Sequence, residues 1–207
     1  MIISSAHKFI FAAVPKTGTH AVRQALREHL GPDDLEQVGL FVTKRFPMPE
    51  LAKIGHGHLT LAEVRPHLAA GDFDTFFKFG FVRNPFDRFI SFCAFMTRQQ
   101  GYFEQDPQKV MHHFLFVEPP TDKIHYAPQH IFFTGADGAL LSDYVGRVEA
   151  MQESYDDACR RIGIPSRPLA KVNTSRRGDY RSYYTPALRD AVARLYARDL
   201  ELFGYDF

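Results

Sequence analysis

The sequence predicts an α/β domain of three layers built around a central parallel sheet. Two observations carry that expectation. Phe9–Val14 and Phe76–Val82 are short, nearly continuous apolar runs, the pattern of strands covered on both faces. Each run leads through a turn into a helical pattern, and strand–turn–helix repeated in one chain is how parallel sheets are built. At 207 residues the chain is read as one domain, 1–207, with no internal repeat and no linker.

The first run enters the turn Pro15-Lys16-Thr17-Gly18-Thr19. A helical pattern follows from about His20 to Leu30, with Val22, Ala25, Leu26 and Leu30 on one face. Gly31-Pro32 ends it. The second run passes through Arg83-Asn84-Pro85 into a helix expected from Pro85 to about Arg98, where Phe86, Phe89, Ile90, Cys93 and Met96 recur at helical spacing. A third helix is predicted over Glu149–Ile162. A last one is marked by Leu188, Val192, Leu195, Tyr196 and Leu202, with Thr185 as N-cap and Pro186 at its first position. Gly101–Gly138 is proline-containing and of mixed polarity. It is read as mostly irregular, with short helices, and as a surface.

Composition excludes several classes. The chain is 45% apolar and 24% charged, ordinary values for a globular domain. A formal net charge of +1 provides no general basic field for nucleic acid, so positive charge that meets an anion has to be local. Cys93 and Cys159 are too few for a disulfide framework and fall on apolar helix faces, which predicts buried thiols. The run to Val14 is shorter than the apolar core of a signal peptide and ends in Pro15-Lys16. No stretch approaches the roughly 18 apolar residues of a membrane span. A soluble, cytoplasmic protein is the expectation. Nothing in the sequence marks an oligomeric state.

A turn between a strand and a helix N-terminus is an anion site by construction, because unpaired backbone amides and the helix dipole both point at it. In Pro15-Lys16-Thr17-Gly18-Thr19, Gly18 permits close backbone approach to a phosphate. Lys16 brings a point charge, and Thr17 and Thr19 bring hydroxyl donors. The order is not that of a Walker A loop, since the lysine precedes the glycine. Taken alone, the segment also reads as an ordinary turn with an exposed lysine. Arg83 stands at the end of the second strand and Ser91 lies eight residues on, with Arg88 three residues before it on the helix. An arginine there can grip a phosphate bidentately and a serine can add a hydroxyl. The plain alternative is a surface arginine and an ordinary helix serine. Two such sites on two strand ends suit a nucleotide phosphorylated at two separate positions.

V-P-K-T-G-T-H at Val14–His20 resembles the 5′-phosphosulfate loop of sulfotransferases that use 3′-phosphoadenosine-5′-phosphosulfate (PAPS), and F-V-R-N-P-F-D-R-F-I-S-F at Phe81–Phe92 resembles their 3′-phosphate motif. The similarity is greatest to the carbohydrate branch, which includes chondroitin, HNK-1-type and uronyl 2-O-sulfotransferases. The C-terminal V-N-T-S-R-R-G-D-Y-R-S-Y-Y-T-P and L-F-G-Y-D-F also look like that branch. The resemblance implies the P-loop-like sulfotransferase fold, PAPS as donor with adenosine 3′,5′-bisphosphate as product, no metal, and a hydroxyl acceptor, carbohydrate by preference. A lipid, a small metabolite or a tyrosyl peptide is the alternative acceptor. It further implies that Lys16 lies beside the leaving 5′-phosphate with Thr17, Gly18 and Thr19 around it. Arg83 and Ser91 would hold the 3′-phosphate, and the loop of Ser175, Arg176 and Arg177 would fold over the nucleotide. His20 departs from the pattern, replacing a hydroxyl residue.

Sulfuryl transfer needs a group that takes the acceptor's proton, and histidine titrates in the right range. Gly55-His56-Gly57-His58-Leu59 resembles the H-G-H segment of uronyl 2-O-sulfotransferases, which implies His56 as base and His58 as support, with His20 as a competitor on the phosphate loop. Two loop histidines of no special role, or a metal pair, are the other readings. A lone His-x-His lacks the further ligands zinc requires. Glu63 and Asp87 are candidates for orienting a histidine, and Tyr180, Tyr183 and Tyr184 read as core or as a stacking surface. The rival functions are a P-loop kinase or hydrolase, weakened by the missing G-K-[ST] and acidic metal ligand, and a nucleotide-binding protein without catalysis.

Overall fold

A computed structural model describes residues 1–37, 49–52, 56–170 and 178–207. Ser175, Arg176 and Arg177 lie outside these. Among the described residues the strands are β1 (Ile2–Ser4), β2 (Phe9–Ala12), β3 (Leu35–Glu36), β4 (Phe77–Val82) and β5 (Tyr144–Arg147). The helices are α1 (Thr19–Arg27), α2 (Pro49–Ala52), α3 (Leu61–Val64), α4 (Asp72–Thr75), α5 (Pro85–Met96), α6 (Tyr102–Gln105), α7 (Pro107–His112), α8 (Met151–Ile162), α9 (Pro186–Leu195) and α10 (Ala197–Phe203). They fall into two compact units, Met1–Val82 with Ile131–Val172, and Arg83–His130 with Asn173–Phe207.

The first unit holds all five strands, in the order β3-β1-β2-β4-β5. β2, β4 and β5 are parallel, as the two apolar runs predict, with Phe9 opposite Phe77 and Phe81 opposite Gly146. The sheet as a whole is mixed rather than parallel, because β1 pairs antiparallel with both β2 and β3. β1 is too short to carry a readable period. A buried carboxylate holds its hairpin instead: Asp34 accepts from Ser4 Oγ at 2.8 Å, Ser5 N at 2.7 Å and Gly31 N at 2.9 Å.

Alternation along the central strands turns Phe9, Phe11, Phe79 and Phe81 to one face. There they pack with Val22 and Leu26 of α1 and with Tyr155, Ala158 and Cys159 of α8. On the other face, a Cβ added at Gly80 would lie 2.6 Å from the Phe133 ring, so only glycine admits that ring. The expected strand Phe9–Val14 leaves the ladder after Ala12, and Ala13 and Val14 stay buried as the approach to the turn.

In the second unit, α5 starts at Pro85 as predicted and is capped by Asn84, whose side chain accepts from Phe86 N at 3.0 Å. Thr185 caps α9 by accepting from Leu188 N at 3.3 Å. The single C-terminal helix read from the sequence is two helices. The break falls at Tyr196, which is buried and donates its hydroxyl to the Tyr126 carbonyl at 2.8 Å. The stretch expected to be irregular contains α6, α7 and a π-turn over His113–Val117, and is more helical than its prolines suggested. Tyr180, Tyr183 and Tyr184 pack against the aromatic core of this unit, where Tyr184 donates to the Phe86 carbonyl at 2.8 Å. Cys93 and Cys159 are both buried. No described helix is long and apolar enough to cross a membrane.

Candidate active site

The turn after β2 is tightly shaped. Lys16 and Gly18 both take the left-handed conformation, with φ of 67° and 70°. For a lysine this costs roughly 1–2 kcal/mol, and such strain persists only where neighbours over-determine the backbone. Part of the restraint comes from Thr17, which is buried and donates its hydroxyl to the Val14 carbonyl at 2.9 Å. That donor was expected to face a phosphate. It closes the loop instead. Gly18 sits at the N-cap of α1 with no side-chain cap, so the first amides of α1 open onto the turn.

A substitution here has a predictable result. In Gly18→Ala the new Cβ would keep a φ of +70° and come within 3.0 Å of Met151 Cε. The methionine end can move, whereas the backbone cannot. Gly18→Ala is therefore expected to lower unfolding free energy by about 1–2 kcal/mol, read as a lower denaturation midpoint with an unchanged slope.

The His56-Gly57-His58 segment is docked at the same place. His58 Nδ1 lies 2.7 Å from the Ala13 carbonyl, which can only accept, so Nδ1 carries the proton and Nε2 holds the ring's lone pair. His56 has the opposite tautomer: its Nδ1 accepts from His58 N at 3.2 Å, which leaves the proton of the neutral ring on Nε2. The two rings are 6.0 Å apart. Arg23 of α1 is buried and donates from Nη2 to the Gly57 carbonyl, and the Met1 amino group donates to the same oxygen at 3.0 Å. One carbonyl between the two histidines is thus pinned by a guanidinium and by the buried amino terminus, whose pKa burial and then Arg23 hold well below the usual amine range. Burial draws the Arg23 guanidinium down to about 10, against the pull of Glu36, and it stays charged at neutral pH.

Burial also lowers the His56 imidazole from its usual range. For His20, partial burial and then the cations Arg23, Arg27 and Lys16 have the same effect. In both, the shift favours the neutral ring. Glu63 orients neither: it closes a capping box with Thr60 at the start of α3.

In the second unit, Arg83 lies two residues before α5, next to its N-cap Asn84, and Ser91 is buried on that helix. Asp87 meets the Arg83 guanidinium at 2.7 Å to Nε and 2.6 Å to Nη2, so its partner is an arginine and not a histidine. Arg88 is fully buried and donates to the His125 carbonyl at 3.2 Å and the Ala127 carbonyl at 2.9 Å. It holds a neighbouring segment in place.

Lys16, Thr17, Gly18, Thr19 and His20 thus share one unit with His56 and His58, tied by the bond to Ala13. A family model described as the sulfotransferase family matches residues 1–206. The chain belongs to the sulfotransferase family. No curated protein and no solved structure matches it. Family membership decides between sulfuryl and phosphoryl transfer, and this sulfotransferase moves a sulfuryl group to a hydroxyl acceptor. Arg23, which holds the H-G-H segment, escaped sequence reasoning; its signal was faint, a cation three residues from Leu26 on the apolar face of α1.

Proposed function

We propose that this sulfotransferase takes its sulfuryl group from PAPS and transfers it to a carbohydrate hydroxyl, with His58 accepting the proton. The observation that carries the reading is the bond from His58 Nδ1 to the Ala13 carbonyl, three residues before Lys16. It builds a proton acceptor and an anion loop on the end of one strand. The motif comparison favours His56 as base, but the tautomers favour its neighbour, because the Nδ1 lone pair of His56 is already taken by a backbone N–H.

The residues fit the donor's chemistry. A strained turn at a helix N-terminus, with Lys16 within it, suits the 5′-phosphosulfate. Arg83 and Ser91 would hold the 3′-phosphate, as the resemblance implies, with Arg83 sharing its guanidinium between Asp87 and the ligand. Bound PAPS supplies the activated sulfuryl group. As the acceptor oxygen forms its bond to sulfur, the bond from sulfur to the bridging oxygen breaks, and His58 Nε2 takes the acceptor proton. Lys16 Nζ and the loop amides balance the charge that grows on the departing phosphate. A carbohydrate acceptor rests on the motif resemblance to that branch.

The deciding experiment is a titration of adenosine 3′,5′-bisphosphate against AMP. The bisphosphate should bind far more tightly. Loss of a charge-assisted contact is worth about 1.5–3 kcal/mol, so Arg83→Ala should weaken it roughly ten- to a hundredfold and leave AMP nearly unchanged. Equal affinities in the wild-type protein would sink the assignment.

A further inference from the structure

We propose that Gln129 and Asp199 are positioning residues for Arg83, setting the backbone from which its guanidinium reaches a 3′-phosphate. The proposal rests on the reading of Arg83 given above and deepens it.

The carboxamide of Gln129 is fully buried and brackets one residue. Its Oε1 accepts from Arg83 N at 2.9 Å, and its Nε2 donates to the Arg83 carbonyl at 2.8 Å. This is the pairing a neighbouring strand would make, supplied by a side chain at the point where β4 has ended. Gln129 is held in turn. Its backbone N–H donates to Asp199 Oδ2 at 2.7 Å, while His130 donates to Oδ1 from its backbone at 2.8 Å and from Nδ1 at 2.7 Å. Asp199 has no exposed surface. A buried carboxylate needs such donors, and three of them are supplied by two adjacent residues.

The connected set runs from α10 through Gln129 to the first residue of the arginine motif. A carboxylate with no other role would be a costly way to hold a loop, since apolar packing does that without desolvating a charge. Its use at this point makes sense if the direction of Arg83 matters more than stability. Arg88 braces the same segment from the other end through its bonds to the carbonyls of residues 125 and 127.

The test uses the full-length protein and two probes, adenosine 3′,5′-bisphosphate and AMP, which differ only in the 3′-phosphate. Gln129→Met removes both bonds to Arg83 at similar volume. It should reduce the affinity ratio of bisphosphate to AMP by about tenfold, a smaller effect than Arg83→Ala because the guanidinium is misdirected rather than lost. Asp199→Asn should act in the same direction. In an Arg83→Ala background, Gln129→Met should change the ratio no further, since the two act as one unit. Asp34→Asn, which removes a comparably buried carboxylate from the other unit, controls for general destabilisation. It should lower the melting temperature and leave the ratio alone. Should Gln129→Met fail to fold, Gln129→Glu keeps an acceptor for Arg83 N, replaces the donor to the Arg83 carbonyl by an oxygen and adds a charge, and it should lower the ratio in the same direction. A folded Gln129 variant with the wild-type ratio, alongside an Arg83→Ala that lowers it, overturns the positioning role. An Arg83→Ala that leaves the ratio intact overturns the reading of Arg83 itself.

Discussion

Lys16→Ala is expected to lower kcat by roughly 10²–10³ while bisphosphate affinity falls much less, because the ammonium acts on charge that develops as the sulfur–oxygen bond breaks. Charge and backbone can be separated here. Lys16 takes a φ of 67°, which alanine tolerates poorly and glycine readily. Lys16→Gly should therefore be as stable as the wild type, or more so, and just as deficient in turnover. Lys16→Arg should recover part of the rate, since it restores the charge on a bulkier, planar head. Single-turnover kinetics with saturating donor, set beside thermal melting, make the comparison. A Lys16→Gly variant that turns over normally would show that the loop amides and the helix dipole suffice, and would remove Lys16 from the mechanism.

His58→Ala is expected to lower kcat by about 10²–10⁴, the range for loss of a general base, with donor affinity nearly unchanged. The base works only as the neutral ring. The wild-type rate should therefore fall as pH drops and the ring gains a proton, and that acid limb should vanish in the variant. His56→Ala should do less. It removes the acceptor for His58 N and loosens the segment, but Arg23 still pins Gly57 from α1. His20→Ala serves as the third arm, since His20 lies on the phosphate loop and its shift favours the neutral ring. The assignment turns on order. If His56→Ala or His20→Ala abolishes turnover while His58→Ala retains it, the proton goes elsewhere and the tautomer argument fails.

Much of the frame was legible in the sequence because local rules govern it. Apolar runs of six or seven residues ending in a turn with glycine or proline announce β2 and β4, and Thr185-Pro186 announces the start of α9. These are contacts among near neighbours along the chain, where spacing alone carries the information. β1 and β5 were missed for a related reason. Three or four residues hold at most two full periods, and only pairing with a partner strand makes them strands. The break at Tyr196 was hidden because the apolar period continues across it, while the tyrosine's hydroxyl is drawn to Tyr126, 70 residues away.

The candidate site divides along the same line. By itself the sequence determined the two strand–turn–helix motifs, the residues Lys16, Gly18, Arg83 and Ser91 within them, and the H-G-H segment, and so the family. Only the tertiary structure decided which atoms those residues have to offer. The Thr17 hydroxyl turns inward to Val14, Arg88 is committed to backbone carbonyls, and Asp87 belongs to Arg83. The His58 lone pair is on Nε2 because Nδ1–H donates to the carbonyl of Ala13, 45 residues earlier. The physical reason is that a motif specifies residue types at a spacing, whereas hydrogen-bond valence is shared out in space. A donor is available to a ligand only if no nearer acceptor has claimed it, and the nearest acceptor is often remote in sequence.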